Sequence, residues 1–112
     1  MATDLHGARV AIIGLGASGQ AAARLALSKG GEVYASDLRA DAQAAAGGAE
    51  LRNLGADVEW GRHDVERLAR ADLVVVSPGI PPHAPVLREL RERGVRWISE
   101  PELAVRFFQG PL

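Results

Sequence analysis

One short segment constrains this chain more than any other. The apolar run Val10-Ala11-Ile12-Ile13 leads directly into Gly14-Leu15-Gly16-Ala17-Ser18-Gly19, and a helix-compatible stretch follows from about Ser18 to Lys29. A strand, a GxGxxG turn and a helix in that order open a βαβ unit. The three glycines have separate tasks in such a turn. Gly14 permits the tight bend, Gly16 lets backbone approach a phosphate without a Cβ in the way, and Gly19 lets the helix pack closely on the strand. The helix start then presents N–H groups and the positive end of its dipole to an anion. A strand-to-helix turn without a ligand uses the same glycines, so the motif alone leaves both possibilities open.

The rest of the chain repeats the alternation. Gly30-Gly31 stops the first helix, and Val33-Tyr34-Ala35-Ser36 reads as a second strand with Asp37 at its end. From Ala40 to Leu54 the composition is helical, with Gly47-Gly48 predicted to interrupt or kink it and Gly55 to end it. Val58-Glu59-Trp60 is a short third strand near an edge, because Glu59 breaks its apolar character. Asp64 is placed to cap a short helix through Arg70, with Val65, Leu68 and Ala69 as its buried side. Leu73-Val74-Val75-Val76 is the most apolar strand, the pattern of burial on both faces in a parallel sheet. Pro85 opens a helix that runs to about Arg93, buries Val86, Leu87 and Leu90, and stops at Gly94. Val95-Arg96-Trp97-Ile98 is expected as the last strand. Ser99 and Glu102 have capping-box spacing and predict a final helix towards Phe108, with Phe107-Phe108 covering the sheet or facing a further domain. Five strands alternating with helices give the α/β class: a single Rossmann-like, doubly wound, five-stranded parallel sheet of order 3-2-1-4-5. Residues 1–112 read as one domain.

Composition narrows the function. A chain of 112 residues holds about one domain, not a nucleotide domain with a catalytic domain beside it. With 13 Lys+Arg against 14 Asp+Glu there is no electrostatic footprint for nucleic acid. The absence of cysteine excludes thiol catalysis and cysteine-ligated metal, and His6, His63 and His83 have no metal-ligand spacing and are read as exposed. No apolar run approaches the ~20 residues of a membrane span, and Met1–Gly7 has no signal-peptide pattern. A cytoplasmic protein without membrane, nucleic-acid or metal partners is the expectation.

Two further loops face the same crevice. Asp37 lies 18 residues beyond Gly19, where an acid binds ribose hydroxyls in dinucleotide domains, while Arg39 suits a 2′-phosphate. Ser77-Pro78-Gly79-Ile80-Pro81-Pro82 follows the most buried strand. In the order 3-2-1-4-5, strands one and four are neighbours at the topological switch point, so their C-terminal loops bound the ligand crevice. Gly79 removes a side chain there, although a rigid connector would look alike. On these residues alone, an NAD(P)-binding module of an oxidoreductase or regulator remains open, as does an interaction module without a ligand.

Taken together, Gly14–Gly19, Asp37-Leu38-Arg39 and Ser77-Pro78-Gly79-Ile80 resemble, in order and spacing, the N-terminal domain of the Mur ligases. Ser99-Glu100-Pro101-Glu102-Leu103 is similar to the family's segment before its central domain, so the resemblance covers essentially the whole chain. It implies a domain that anchors the UDP part of the peptidoglycan precursor UDP-N-acetylmuramoyl-L-alanine. By position, Ala17 and Ser18 should meet the diphosphate, and Asp37 should accept from the uracil ring. Leu38 and Arg39 should line or cover the base, and Ser77, Pro78 and Gly79 should close the opposite side. The Asp-x-Arg placement and the Ser-Pro-Gly-Ile loop resemble the D-glutamate-adding branch more than the L-alanine-adding sibling. Full ligases of the family use ATP and Mg2+ in a central domain with a GxxxxGK[ST] loop. No Gly-Lys pair occurs here. The resemblance therefore implies an anchoring domain with no cofactor and no catalytic residue of its own, completed by absent central and C-terminal domains.

Overall fold

The computed structural model describes residues 5–39 and 41–107. Five strands, β1 (Arg9–Ile13), β2 (Glu32–Asp37), β3 (Asp57–Trp60), β4 (Leu73–Val76) and β5 (Ile98–Ser99), alternate with five helices. These are α1 (Ala17–Ser28), α2 (Ala42–Asn53), α3 (Val65–Arg70), α4 (Pro85–Glu92) and α5 (Glu100–Phe107). All strand pairs are parallel and the order is β3-β2-β1-β4-β5, as the alternation predicts. Ile13 pairs with Ser36 on one side and with Val76 on the other, so β1, β2 and β4 end level with one another.

The apolar strands bury both faces. Val10 and Ile12 of β1, Val33 and Ala35 of β2, and Val75 of β4 pack under α1, α2 and α5, with Ala22, Ala23, Ala26, Leu51 and Leu103. Ala11, Ile13, Val74 and Val76 point the other way and meet Leu68 of α3 and Val86, Leu87 and Leu90 of α4. Each fully buried Val, Leu or Ile stabilises the fold by about 1.5–3 kcal/mol. The alanines of α1 hold that helix close to the sheet, which keeps its N-terminus against the end of β1.

Three expectations need correction. The helix α2 runs unbroken through Gly47-Gly48. Those glycines provide room instead: a Cβ on Gly47 would lie 2.4 Å from the Gln20 amide, and one on Gly48 would lie 2.3 Å from Trp60 Cζ2. Helical hydrogen bonding and close packing outweigh their poor propensity. The last strand begins at Ile98, not Val95, and has two residues. Val95 N–H donates to Leu90 C=O (2.9 Å), which ties this stretch to the end of α4, while Trp97 packs on the core. On α3, Leu68 is buried, but Val65 and Ala69 are only half-buried.

The stops follow the glycines. Gly55 (φ +105°) ends α2 with Gly55 N–H on Arg52 C=O and Ala56 N–H on Leu51 C=O, a Schellman arrangement. Asp64 caps α3 by accepting from Arg67 N–H, and Ser99 Oγ accepts from Glu102 N–H at the start of α5 (3.2 Å). Phe108 and the side chain of Phe107 lie outside the described residues.

Candidate functional site

The carboxyl ends of β1, β2 and β4 bring three loops to one edge of the sheet. Gly14 leaves β1 at φ +98°, a conformation that L side chains rarely adopt. A Cβ on Gly14 would also lie 2.8 Å from Ser77 Cβ, so the β1 and β4 loops touch at their base. Gly19 is equally constrained, because its Cβ would stand 1.7 Å from Gly14 C=O. This is the close helix-to-loop packing expected of the motif's last glycine.

Gly16 is different. Its backbone is ordinary (φ −71°), and a Cβ there would meet only Arg39 Nη2, at 3.7 Å. Neither conformation nor a protein neighbour demands glycine at this point. Gly79, across the crevice, has an exposed position and would meet only Ser77 Oγ, at 4.0 Å. A side chain at either glycine would therefore meet the protein only at ordinary contact distance. Gly16 is also the N-cap of α1 and offers no side chain to cap the first turn. Such a helix start suits an anion held by backbone N–H groups. Ala17 and Ser18 stand on that turn, exposed and half-exposed.

Asp37 closes β2 and is only 4% exposed. Its Oδ2 accepts from Leu15 N–H (2.7 Å) and its Oδ1 from Arg39 N–H (2.9 Å), with Arg39 Nε 3.7 Å from Oδ1. The carboxylate thus clasps the glycine turn to the end of β2. Leu38 beside it is 61% exposed, an unusual degree for a leucine. Arg39 reaches over the turn towards Gly16 with its side chain 65% exposed.

On the other lip, Ser77 N–H donates to Ile13 C=O (2.9 Å) and Ile80 N–H to Ser77 C=O (3.0 Å), forming a tight turn with Pro78 and Gly79 at its exposed corner. Arg91 of α4 donates to Pro82 C=O (2.5 Å) while its guanidinium stacks 5.5 Å from the Trp97 ring centre, which braces this loop from below. A cavity of about 310 Å³ opens beside the loop, lined by Ser77, Pro78, Pro82, Trp97 and Glu102 among others. A cavity of about 630 Å³ lies at the opposite, amino ends of the strands, away from the glycine turn. Arg67, in its lining, pairs with Asp57 and stacks 4.0 Å from the Tyr34 ring centre.

The structure joins the glycine turn to Asp37 through Leu15 N–H and to Arg39 at Gly16, and sets the Ser77 loop against Gly14. Two supports escaped notice. Gln20 Nε2 donates to Leu15 C=O (3.0 Å) and occupies the space that Gly47 leaves open. His63, expected to be exposed, is instead half-buried, with Nδ1 2.6 Å from Ser36 Oγ on β2. Burial pushes its pKa down, and the charges of Asp37 and Glu59 only partly offset this. Nearby, Tyr34 O–H donates to Glu59 (2.7 Å) and accepts from Asp64 N–H (2.9 Å), and burial raises its pKa to about 12. Apart from Gln20–Leu15, which are five residues apart, these pairs have no local sequence signal, because they join residues far apart in the chain.

The fold and the crevice define the class: a Rossmann-like α/β domain with a glycine turn at the switch point of its sheet. Residues 8–99 match the family described as "Mur ligase MurD-like, N-terminal domain", and the chain belongs to that family. It is 42% identical over 109 residues to the UDP-N-acetylmuramoylalanine–D-glutamate ligase of Desulfatibacillum aliphaticivorans, covering 97% of this chain and 24% of that protein. With the ligase of the same name from Anaeromyxobacter dehalogenans the identity is 46% over 111 residues, 97% of this chain and 23% of the relative. The chain therefore spans about a quarter of the length of these relatives. Among solved structures, the murein peptide ligase Mpl of Psychrobacter arcticus superposes with a TM-score of 0.73 at 26% identity, over 88% of this chain and 20% of that one. The UDP-N-acetylmuramate–alanine ligase MurC of Thermotoga maritima shares the fold, with a TM-score of 0.66 at 24% identity, over 85% and 21% of the two chains.

Proposed function

We propose that this chain is the substrate-anchoring domain of an ATP-dependent ligase that joins D-glutamate to UDP-N-acetylmuramoyl-L-alanine, and that it holds the UDP part. The observation that carries the proposal is Gly16, a glycine that neither backbone nor protein neighbour requires, standing at the uncapped start of α1 beside Arg39. The diphosphate fits against the first turn of α1. Backbone N–H groups at Ala17 and Ser18 and the Ser18 hydroxyl donate to its oxygens, and the helix dipole favours its charge by about 0.3–1 kcal/mol. Gly14 and Gly19 shape the turn. Leu38 covers the base, Arg39 supplies a cation above the turn, and Asp37 accepts from the uracil imide with the lone pairs that Leu15 and Arg39 leave free. Ser77, Pro78 and Gly79 form the opposite wall.

The groups needed for the chemical step do not fit this chain. Its glycine turn carries no Lys followed by Ser or Thr, and no Gly-Lys pair occurs anywhere in it. Among the described residues no three His, Asp or Glu side chains cluster so as to hold a metal ion. The proposal assigns ATP and Mg2+ to the remaining three quarters of a protein like its relatives. Within such a protein this domain fixes one end of the precursor so that the far carboxyl end reaches the reacting centre, which is catalysis by positioning. Among the described residues no helix is long and apolar enough to cross a membrane.

Calorimetric titration of the chain with UDP, UDP-N-acetylmuramoyl-L-alanine, NAD and NADP tests the proposal. Heat from the two uridine ligands and none from NAD or NADP is expected. Binding of NAD or NADP alone would reassign Asp37 and Arg39 to ribose recognition and overturn it.

A further inference from the structure

We infer that His63 is a positioning residue for the nucleotide crevice: through Ser36 it holds the end of β2, and with it Asp37 and the glycine turn. The inference rests on the uridine-nucleotide reading and adds a residue to it. Parallel pairing stops at this edge, with Ser36 the last partner of β1 and Asp37 the last partner of β3. Strand ends fray unless something beyond the ladder holds them. Here the two residues are gripped from both sides. Towards β1, Gly14 N–H donates to Ser36 C=O (2.8 Å) and Leu15 N–H to the Asp37 carboxylate (2.7 Å). Towards β3, Gly61 N–H donates to Asp37 C=O (2.8 Å) and His63 Nδ1 meets Ser36 Oγ (2.6 Å).

Ser36 is fully buried. A hydroxyl there is costly unless it is hydrogen-bonded, whereas alanine would need no partner. His63 supplies a partner at 2.6 Å, with the Tyr34 hydroxyl also in reach of Ser36, from a loop that is itself anchored, since Asp64 N–H donates to the Tyr34 hydroxyl and Asp64 caps α3. The result is a continuous path from the α3 start through His63, Ser36 and Asp37 to Leu15. Loss of the imidazole frees the outer side of this path and lets the Asp37 carboxylate shift. The Leu15 amide, and with it the turn that meets the phosphates, then loses its fixed position. His63 touches no ligand in this scheme; it acts through Asp37.

The test compares UDP affinity and the backbone amide resonance of Leu15 in the wild-type chain, His63→Ala, Ser36→Ala and His63→Asn. Asparagine can place a polar atom where Nδ1 stands. Both alanine variants should bind UDP about tenfold more weakly and move the Leu15 resonance away from its carboxylate-bonded position. His63→Asn should recover most of both. UDP affinity unchanged in His63→Ala would overturn the inference while leaving the uridine reading intact. If the wild type itself does not bind UDP, that reading fails, and an unmoved Leu15 resonance in His63→Ala then overturns the positioning role independently. Should His63→Ala not fold, an asparagine variant that folds yet binds as weakly as Ser36→Ala would equally overturn it.

Discussion

At the residue scale, Gly16 and His63 lead to opposite experiments. Gly16 has a backbone that any residue can adopt, and a Cβ there would meet only Arg39 Nη2, at an ordinary contact distance of 3.7 Å. Gly16→Val should therefore fold, losing about 1 kcal/mol as a poorer N-cap, which lowers Tm by about 4–8 °C. The same variant should bind UDP at least about tenfold more weakly, because the branched side chain occupies the phosphate's path. Affinity equal to wild type would remove the glycine turn from the site. His63 concerns stability. Its pKa is lowered in the folded chain, chiefly by burial, against the pull of Asp37 on β2 and Glu59 on β3. The unfolded chain thus binds the proton more readily. The stability gained from the neutral ring is complete above the ordinary value of 6.5 and is lost as pH falls through the lowered folded value. Between about pH 7.5 and pH 5 the wild type should lose more Tm than His63→Asn; equal losses would contradict the shift. Gly14 and Gly19 were legible because each has a local mechanical task, and Gly16 because the motif's spacing sets it between them. His63 was not, because its partner lies 27 residues away on another strand.

At the element scale, packing overrules propensity in α2 and again at β5. Alanine is the better helix former by about 1 kcal/mol, so Gly48→Ala should stabilise an isolated helix. In this fold its Cβ would stand 2.3 Å from Trp60 Cζ2. The variant should instead be destabilised by about 1–3 kcal/mol. The effect should vanish or reverse when Trp60 is also cut to alanine, a coupling that thermal unfolding of the double mutant reads directly. A stabilised single mutant would mean that α2 can slide away from β3. The strand order, the helix stops and the capping residues were all legible, because periodicity, positive-φ glycines and Ser or Asp caps are local signals. The unbroken course of α2 and the late start of β5 were not, because Trp60 and the Leu90–Val95 hydrogen bond decide them from outside.

At the scale of the whole molecule, the crevice was legible from motif order alone, once a parallel sheet put β1 beside β4. What the ligand is could not be read from the turn, since uridine and adenine nucleotides present the same diphosphate; the proposal of uridine rests on family membership. The chain, supplied with UDP-N-acetylmuramoyl-L-alanine, D-glutamate, ATP and Mg2+, should release no phosphate above a blank, and measurable turnover would show that the anchoring assignment is too narrow. The three contributing loops come from residues 14–19, 37–39 and 77–79, which meet only when β1, β2 and β4 lie level. An unfolded chain therefore contains no part of the crevice in working form. Ligand and fold are then thermodynamically linked: at a hundred times its Kd, a ligand of this crevice adds about 2.7 kcal/mol to the unfolding free energy. Under the proposed function, precursor supply becomes a protective condition for the domain, and scarcity of precursor exposes it to unfolding and proteolysis.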